Sequence, residues 1–351
     1  MTRVASFDFE LPDSLIAQEA RPRGQSRLLV VDRTTGTFGE QPMAALPALL
    51  APGDRLVAND TRVFPARLIG TRLPGGGAGE CLLLEREGGD QWLALVHPGQ
   101  RLKSGSQMVF EDPARAPGVR LTATVLDRRF FGRRLVQLSV EGAAGVDEAV
   151  DCLGHIPLPP YIRRGDRPDD RERYQTVYAA SRGSIAAPTA GLHFDAAMLE
   201  ALRGAGIDWT TITLHVGYGT FKPVRVDSVE DHVVDPERYV ISTDAAAAMN
   251  QTRRRGHRIV AVGTTTTRAL ESAVAEDGSI GAAAGATDLF IRPGHQFKAI
   301  DGLVTNFHLP RSSLLMLVAA FAGQDLTLKA YRYAVREKFH FYSYGDAMLI
   351  I

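Results

Sequence analysis

Three histidines stand where apolar stretches meet glycine or polar turns: His193 in "AAPTAGLHFD" (186–195), His215 in "TLHVG" (213–217) and His308 in "TNFHLP" (305–310). Such a histidine can carry a proton, bind a metal or simply complete a hydrogen-bond network. His193 precedes Asp195, a residue type suited to capping a helix. The positive end of a helix disfavours imidazolium, so His193 is expected to be neutral near pH 7 and competent as a general base. His215 lies beside Gly217, Tyr218 and Gly219, where glycine lets a ligand approach the backbone. His308, between Phe307 and Leu309, reads first as structural, but its position keeps it among the substrate-binding candidates. The three histidines contain no His-x-His or His-x-x-x-His pair, so a metal site is not expected.

The histidines belong to a set of four polar clusters, each following a short apolar run. Asn59, Asp60, Thr61 and Arg62 follow "RLVA"; His215 follows "TTITL"; Thr264 to Thr267 and Arg268 follow "RIVAVG"; Asn306 and His308 follow "GLVT". Ligands of open parallel sheets bind beyond the carboxyl ends of the strands. If these runs are neighbouring parallel strands, the clusters share one rim. In "VGTTTTRALES", Gly263 permits a tight turn, and the threonines offer hydroxyls and N–H groups at a helix start, which favours an anion. The other reading of that segment is a well-capped helix. Arg268 and Glu271, three residues apart, can pair on one helix face. Asp231 and Glu237 fall in the loop expected after "FKPVRVDSV", as surface charges or as acids facing a cationic ligand. Walker and G-x-G-x-x-G spacings are both missing, which argues against a P-loop or a dinucleotide-binding unit.

The elements that must position these groups divide the chain. Within residues 65–150, short alternating runs such as "ECLLLERE", "QWLALVHPG" and "VRLTATVL" are separated by turn clusters such as "PGGGAG" and "KSGS". Six brief strands of this kind predict a small β-barrel or sandwich. Residues 1–64 and 151–351 alternate strand and helix instead. The helices expected there include one capped by Asp195, one beginning at Thr264, one capped by Ser312 or Ser313, and a final one in "LTLKAYRYAVREK". The predicted fold class is therefore α/β: a discontinuous α/β domain with a largely parallel sheet, interrupted by an inserted all-β, barrel-like domain. "GSIGAAAGA" (278–286) reads as a flexible loop.

The chain has 351 residues, 45% of them apolar and 23% charged, with 40 basic and 40 acidic side chains. A nucleic-acid partner would therefore be met by local patches, not by overall charge. Three patches exist, "RRFFGRR" (128–134), "YIRRGDRPDDRERY" (161–174) and "RRRGHR" (253–258), and each also reads as an ordinary solvated face. Two cysteines, Cys81 and Cys152, exclude a disulfide framework, and with no apolar run of membrane-spanning length and no secretion signal the expected location is the cytoplasm.

Nine segments together carry a resemblance: "FDFELPDSLIAQ", "LVANDTRVFPARL", "GHIPLPPYI", "YQTVYA", "APTAGLHFD", "TLHVGYGTFKPVR", "AVGTTTTRALES", "LVTNFHLPRSSLLMLVAAFAG" and "FYSYGDAMLI". In this order the chain resembles the S-adenosylmethionine:tRNA ribosyltransferase-isomerases of queuosine biosynthesis, from residue 7 to the end, with the barrel region matching weakly through "LVHPGQRLKSG". The resemblance implies a large mixed α/β domain with an inserted barrel. It also implies transfer and isomerisation of the ribosyl group of S-adenosylmethionine onto 7-aminomethyl-7-deazaguanine at the tRNA wobble position, giving epoxyqueuosine and releasing adenine and methionine. S-adenosylmethionine is then a consumed substrate, no further cofactor is implied, tRNA is the partner, no membrane is involved, and a monomer is expected. The family supplies no residue roles here, so these rest on local chemistry. His193 or His215 takes the proton; Asp60 or Glu237 assists adenine departure; Thr264, Thr265 and Arg268 hold the methionine carboxylate; Arg62 orients the donor or a phosphate. Gly217, Tyr218, Gly263, Asn306 and His308 line the substrate site. Tyr161, Tyr218 and Phe221 offer stacking platforms. Arg128, Arg129, Arg163, Arg164, Arg253, Arg254 and Arg255 are the phosphate contacts. Three departures from the family pattern stand out: Val234-Asp235 where Met-His is common, Tyr218 in place of Leu or Ala, and Thr266-Thr267 in place of Ser-Val. Two other classes fit parts of the sequence, a three-histidine metallohydrolase and a non-catalytic RNA-binding module.

Overall fold

The computed structural model describes residues 2–221 and 223–351, the side chain of Phe221 excepted. In chain order, the hairpin β1 (Arg27–Asp32) and β2 (Thr37–Pro42) precedes β3 (Arg55–Asn59) and β4 (Thr61–Val63). Six strands follow: β5 (Arg67–Leu73), β6 (Ala78–Gly88), β7 (Gln91–His97), β8 (Gln107–Glu111), β9 (Arg120–Arg128) and β10 (Arg133–Glu141). The remainder carries β11 (Ser181–Ser184), β12 (Asp208–Leu214), β13 (Glu237–Ile241), β14 (Ile259–Val262), β15 (Ala283–Thr287), β16 (Gly302–Asn306) and β17 (Ala347–Ile350).

β5 to β10 close into a six-stranded antiparallel barrel, in the order β10-β7-β6-β5-β8-β9. Alternation in the sequence becomes alternation in burial: Cys81 and Leu83 of β6, Ala94 and Val96 of β7, and Leu121, Ala123 and Val125 of β9 point inward. The helix Val146–Leu153 adds Val146, Ala149, Val150 and Leu153 to the same core, together with Phe64 and Ile185. Where the chain enters and leaves the barrel its two passages are stitched together: His155 N–H donates to Arg67 O at 2.8 Å and Arg67 N–H donates to His155 O at 3.2 Å.

The other strands, apart from the small parallel pair β4 and β11, form one nine-stranded sheet ordered β15-β13-β12-β3-β14-β16-β17-β1-β2. Its centre, β12-β3-β14-β16, is parallel. β3, β14 and β16 are buried along their whole length. Leu56, Ala58, Val260, Val262 and Val304 pack on one face with Phe194, Met198 and Leu202, while Val57, Ile259, Ala261 and Leu303 pack on the other. A sheet covered on both faces is the usual setting for parallel strands.

The expectation of a largely parallel sheet needs correcting at the flanks. β13 returns beside β12 antiparallel, β15 runs antiparallel to β13, and β17 runs antiparallel to β16. The segment read as a flexible loop holds four of the five residues of the edge strand β15. Its Ala- and Gly-rich sequence carries no strand pattern of its own, and the pairing is supplied by β13. For the same reason Glu237 begins a strand instead of lying in a loop. The caps are as read: Asp195 accepts from Met198 N–H at 2.7 Å, and Ser312 accepts from Leu315 N–H at 3.2 Å. Among the described residues no single helix is long and apolar enough to cross a membrane.

Gly154 sits inside the stitched junction. A Cβ placed there would lie 1.9 Å from Pro65 O and 2.5 Å from Val150 O. Both neighbours are backbone and cannot swing aside, so Gly154→Ala should lower the unfolding free energy by about 1–3 kcal/mol. Urea unfolding that matches the unsubstituted protein would contradict this.

Candidate functional site

The four polar clusters do meet, because their strands are the four parallel neighbours at the sheet's centre. One carboxamide ties two of the strand ends. Asn59 accepts from Leu214 N–H at 2.9 Å and from Thr61 N–H at 3.1 Å, and donates to Leu214 O at 2.8 Å and to Thr265 Oγ1 at 3.3 Å. Beyond this edge lie two adjoining clefts that share Val216 in their walls.

The central cleft has a volume of about 600 Å³. It is lined by Gly263, Thr264, Thr265, Thr189, Asn306 and His308, with Tyr161 and Tyr342 on one side. The helix Thr264–Ala273 begins here, and its N-cap Gly263 supplies no side-chain cap. The first backbone N–H groups of that helix are therefore available to an anion. Thr266 and Thr267 turn their hydroxyls back onto Val262 O and Gly263 O, at 2.8 and 3.1 Å.

His193 reaches the same wall from behind. Thr189 Oγ1 donates to Asn306 Oδ1 (3.1 Å), and Asn306 Nδ2 donates to Tyr342 O (3.2 Å). That fixes the amide, so Nδ2 also donates to His193 Nε2 (3.0 Å), and His193 Nδ1 pairs with Ser26 Oγ (2.8 Å). Both ring nitrogens are thus engaged within the protein. Burial pushes the His193 imidazole down to about 4, against a smaller opposing pull from Asp346, and burial pushes His308 down to about 3. His308 bonds Thr305 Oγ1 through Nε2 at 2.9 Å.

His215 is arranged differently. It lines the larger cleft, of about 1010 Å³, between the barrel and the sheet. The walls there are Phe64, Leu84, Glu85, Arg86 and Trp92 on the barrel side and His215, Gly217 and Glu237 on the other. His215 Nδ1 pairs with Thr61 Oγ1 at 2.8 Å, and that hydroxyl donates to Ser181 O at 3.4 Å. In the tautomer that protonates Nδ1, the Thr61 hydroxyl accepts from the ring and donates to Ser181 O, and Nε2 keeps its lone pair; it is this tautomer that can act as a base. Burial lowers the His215 pKa, partly offset by nearby Asp60 and reinforced by Arg238. Gly183 lies flat against the ring, where a Cβ would come within 2.7 Å of Cε1. Nothing in the sequence singled out Gly183 or Ser26; both act only through folding contacts distant in the chain.

Several expected roles meet a different geometry. Arg268 does not pair with Glu271. Its guanidinium donates to Glu237 Oε2 at 2.5 Å and to the carbonyls of Leu289 and Thr287, and Glu271 instead accepts from Lys298 N–H and Ala299 N–H. Glu237 is buried, and its Oε1 accepts from Gly217 N–H (2.9 Å) and Thr220 Oγ1 (3.1 Å). Neither residue of this pair is free to hold a carboxylate or to lend a proton. Asp60 accepts from Thr213 Oγ1 at 2.6 Å beside His215. Arg62 is exposed on β4 and lines neither cleft. Tyr161 is already stacked on Tyr342, with centroids 3.7 Å apart. Tyr218 is about one-third exposed, in the turn between the two clefts, and the Phe221 side chain lies outside the described residues.

The arginine patches also separate. Arg128 and Arg129 are exposed at the β9–β10 turn. Arg163 is exposed and pairs with Asp13 (2.7 Å), while Arg164 is held by Asp170 (2.6 Å). Arg253, Arg254 and Arg255 lie at the end of the helix Thr243–Arg254, next to the start of β14 and hence at the sheet edge opposite the clefts. Arg253 donates to the carbonyls of Gly278 and Lys298. A nucleic acid seated over the clefts does not meet this third patch. The three histidines face different compartments, and among the described residues no group of three or more His, Cys, Asp or Glu side chains is placed to hold a metal ion.

With this geometry in hand, comparison with known proteins is direct. The family model described as "Queuosine biosynthesis protein" matches residues 4–350. A protein of Moorella thermoacetica called S-adenosylmethionine:tRNA ribosyltransferase-isomerase is 51% identical over 354 residues, covering 99% of this chain and 100% of the relative. A protein of the same name from Halothermothrix orenii is 48% identical over 350 residues with the same coverage. The crystal structure of the S-adenosylmethionine tRNA ribosyltransferase of Thermotoga maritima superposes with a TM-score of 0.55 at 37% identity, covering 99% of this chain and 100% of that one.

The depressed histidines make stability depend on pH. As pH falls below about 6.5 the unfolded chain protonates its histidines while folded His193 and His308 stay neutral, so the folded state loses ground down to about pH 4 for His193. Between pH 7 and pH 5 each contributes about 2 kcal/mol of lost stability. Urea unfolding at the two pH values should show this decline, and His193→Gln should remove its share. An equal decline in the variant would refute the assignment.

Proposed function

The chain belongs to the queuosine biosynthesis protein family, and from that premise we infer the reaction its clefts perform. The enzyme carries the ribosyl group of S-adenosylmethionine onto 7-aminomethyl-7-deazaguanine at the wobble position of tRNA and rearranges it to the epoxycyclopentanediol of epoxyqueuosine. Adenine and methionine leave. S-adenosylmethionine is consumed as a ribosyl donor.

The observation that carries this reading is the pairing of an uncapped helix start in one cleft with an unengaged imidazole nitrogen in the next, across the Val216–Gly217 divide. The methionine carboxylate suits the N–H groups at Thr264 and Thr265, where the helix dipole favours negative charge. The donor, laid across the divide, then brings its C5′ toward His215. The sulfonium acidifies the C5′ hydrogens, and neutral Nε2 takes one of them. Loss of the C5′ proton breaks the C4′–O4′ bond, and the freed oxygen becomes a C1′ aldehyde as the C1′–N9 bond breaks and adenine leaves with a proton. The tRNA amine, losing a proton, adds to C4′ of the vinyl sulfonium. The C5′ carbanion so formed closes the carbocycle onto C1′, and the C1′ alkoxide displaces methionine from C5′ as the epoxide closes. The wobble base belongs to a single-stranded loop, so it can leave its stack and enter the cleft under the barrel. Phe64 and Trp92 give the cleft an apolar barrel-side wall, and a base bound against it would keep water from the reactive intermediates. Glu237 and Arg268 act as positioning residues that hold the Gly217 turn and the helix in register.

The direct test mixes protein, S-adenosylmethionine and tRNA bearing the aminomethyl base. Free adenine, free methionine and the heavier nucleoside should appear together; tRNA binding with no adenine would reject the reaction. His215→Ala should slow adenine release about 10²-fold or more. Gly183→Ala, which displaces the ring, should slow it as well. Normal release by both variants would take the base role away from His215.

A further inference from the structure

The β9–β10 turn ends in the two most exposed large apolar side chains among the described residues, Phe130 and Phe131, each 87% exposed. Phe131 sits at φ 57° and ψ 32°, a left-handed conformation that an aromatic residue disfavours. A turn that spends backbone strain to display two bare rings points to a use for them. The surrounding charge has a small basic excess: Arg128, Arg129 and Arg133 adjoin the rings, against Asp127 and Asp235. Arg128 has no side-chain partner among the described residues, and Arg129 reaches Asp127 only at 3.5 Å.

An ion pair also ties this turn to a segment that continues into the wall of the larger cleft. Arg133 donates to Asp235 at 2.9 Å, joining the barrel to the segment that carries Pro236 and Glu237 into the cleft wall. Asp235 in turn lies against Gly219, where a Cβ would meet its Cβ at 3.0 Å. Exposed Val233, two residues from Asp235, and Tyr218, next to Gly219, flank the same bridge. Phe131 is two residues from Arg133, so the two Cα atoms are at most about 7 Å apart.

We propose that Phe130 and Phe131 form a stacking platform for unpaired tRNA bases that neighbour the wobble base, with Arg128 and Arg129 on the adjoining phosphates. The proposal rests on the tRNA reading above. Basic side chains meet the backbone charge, and aromatic rings accept any base by its face. A loop whose central base is drawn into the cleft leaves its neighbours unstacked outside it, on the side where the Arg133–Asp235 pair ties this turn to the cleft wall. Nothing in the reaction at His215 requires them, so they bear on tRNA affinity and not on chemistry.

The test compares the F130S/F131S, F130L/F131L and F130W/F131W variants with the unsubstituted protein. A fluorescein-labelled anticodon stem-loop reports binding by anisotropy, and steady-state assays give KM for tRNA and for S-adenosylmethionine. The serine and leucine pairs should both weaken stem-loop binding and raise KM for tRNA by about tenfold or more. The tryptophan pair should bind at least as tightly as phenylalanine, while KM for S-adenosylmethionine and the thermal midpoint stay unchanged in all three. Leucine variants that bind tRNA normally would overturn the proposal, because apolar area without a π-face would then suffice. Unchanged tRNA binding together with phenylalanine-dependent sedimentation on phosphatidylcholine–phosphatidylglycerol vesicles would overturn it in favour of a membrane contact. The anisotropy measurement needs no turnover, so a protein that binds tRNA without releasing adenine would sink the reaction and still decide the platform.

Discussion

A single buried ion pair, Arg268 with Glu237, sets the distance between the two halves of the site. Arg268 belongs to the helix whose start opens into the central cleft, and Glu237 begins the strand that walls the larger one. Through its other oxygen Glu237 holds Gly217 and Thr220, and through its other nitrogens Arg268 holds the carbonyls at 287 and 289. Removing one partner of such a pair leaves a buried charge without compensation, which typically costs about 3–5 kcal/mol. The pair therefore does more than stabilise: in the proposed reaction it sets the span that a donor anchored at Thr264 crosses to His215.

A second layer of polar contacts separates two histidines that look alike in sequence. His193 and His215 both follow apolar stretches and both lie near glycine. Folding gives His193 a partner on each nitrogen, one of them an amide whose orientation is locked by Thr189 and Tyr342. It gives His215 one partner and an open cleft. A histidine that is neutral because it is buried and saturated is scaffolding. One that is neutral with a lone pair facing a cleft can accept a proton. The distinction lies in the hydrogen-bond partners, not in the residue type.

Much of this was legible before any coordinates. Alternation of apolar residues gave the six barrel strands, and capping residues placed the helices at Asp195 and Ser312. The convergence of the four polar clusters followed from strand-end logic, and the sheet order bears it out. What stayed hidden depends on partners far away in the chain. β15 has the composition of a loop and becomes a strand only because β13 offers an edge. Arg268 has a plausible partner three residues away and takes one 31 positions distant instead. The arginines at 253–255 look like a phosphate patch until the topology puts them at the opposite sheet edge.

The central claim is that His215 removes a C5′ proton from a donor anchored at the neighbouring helix start. S-adenosylmethionine carrying deuterium at C5′ tests it most directly, with solvent deuterium and free adenine followed in the same reaction. The account predicts that deuterium is lost in step with adenine in the unsubstituted and His193→Gln proteins, and that His215→Ala loses neither. Adenine release with C5′ deuterium fully retained, or undiminished deuterium loss in His215→Ala, would contradict it.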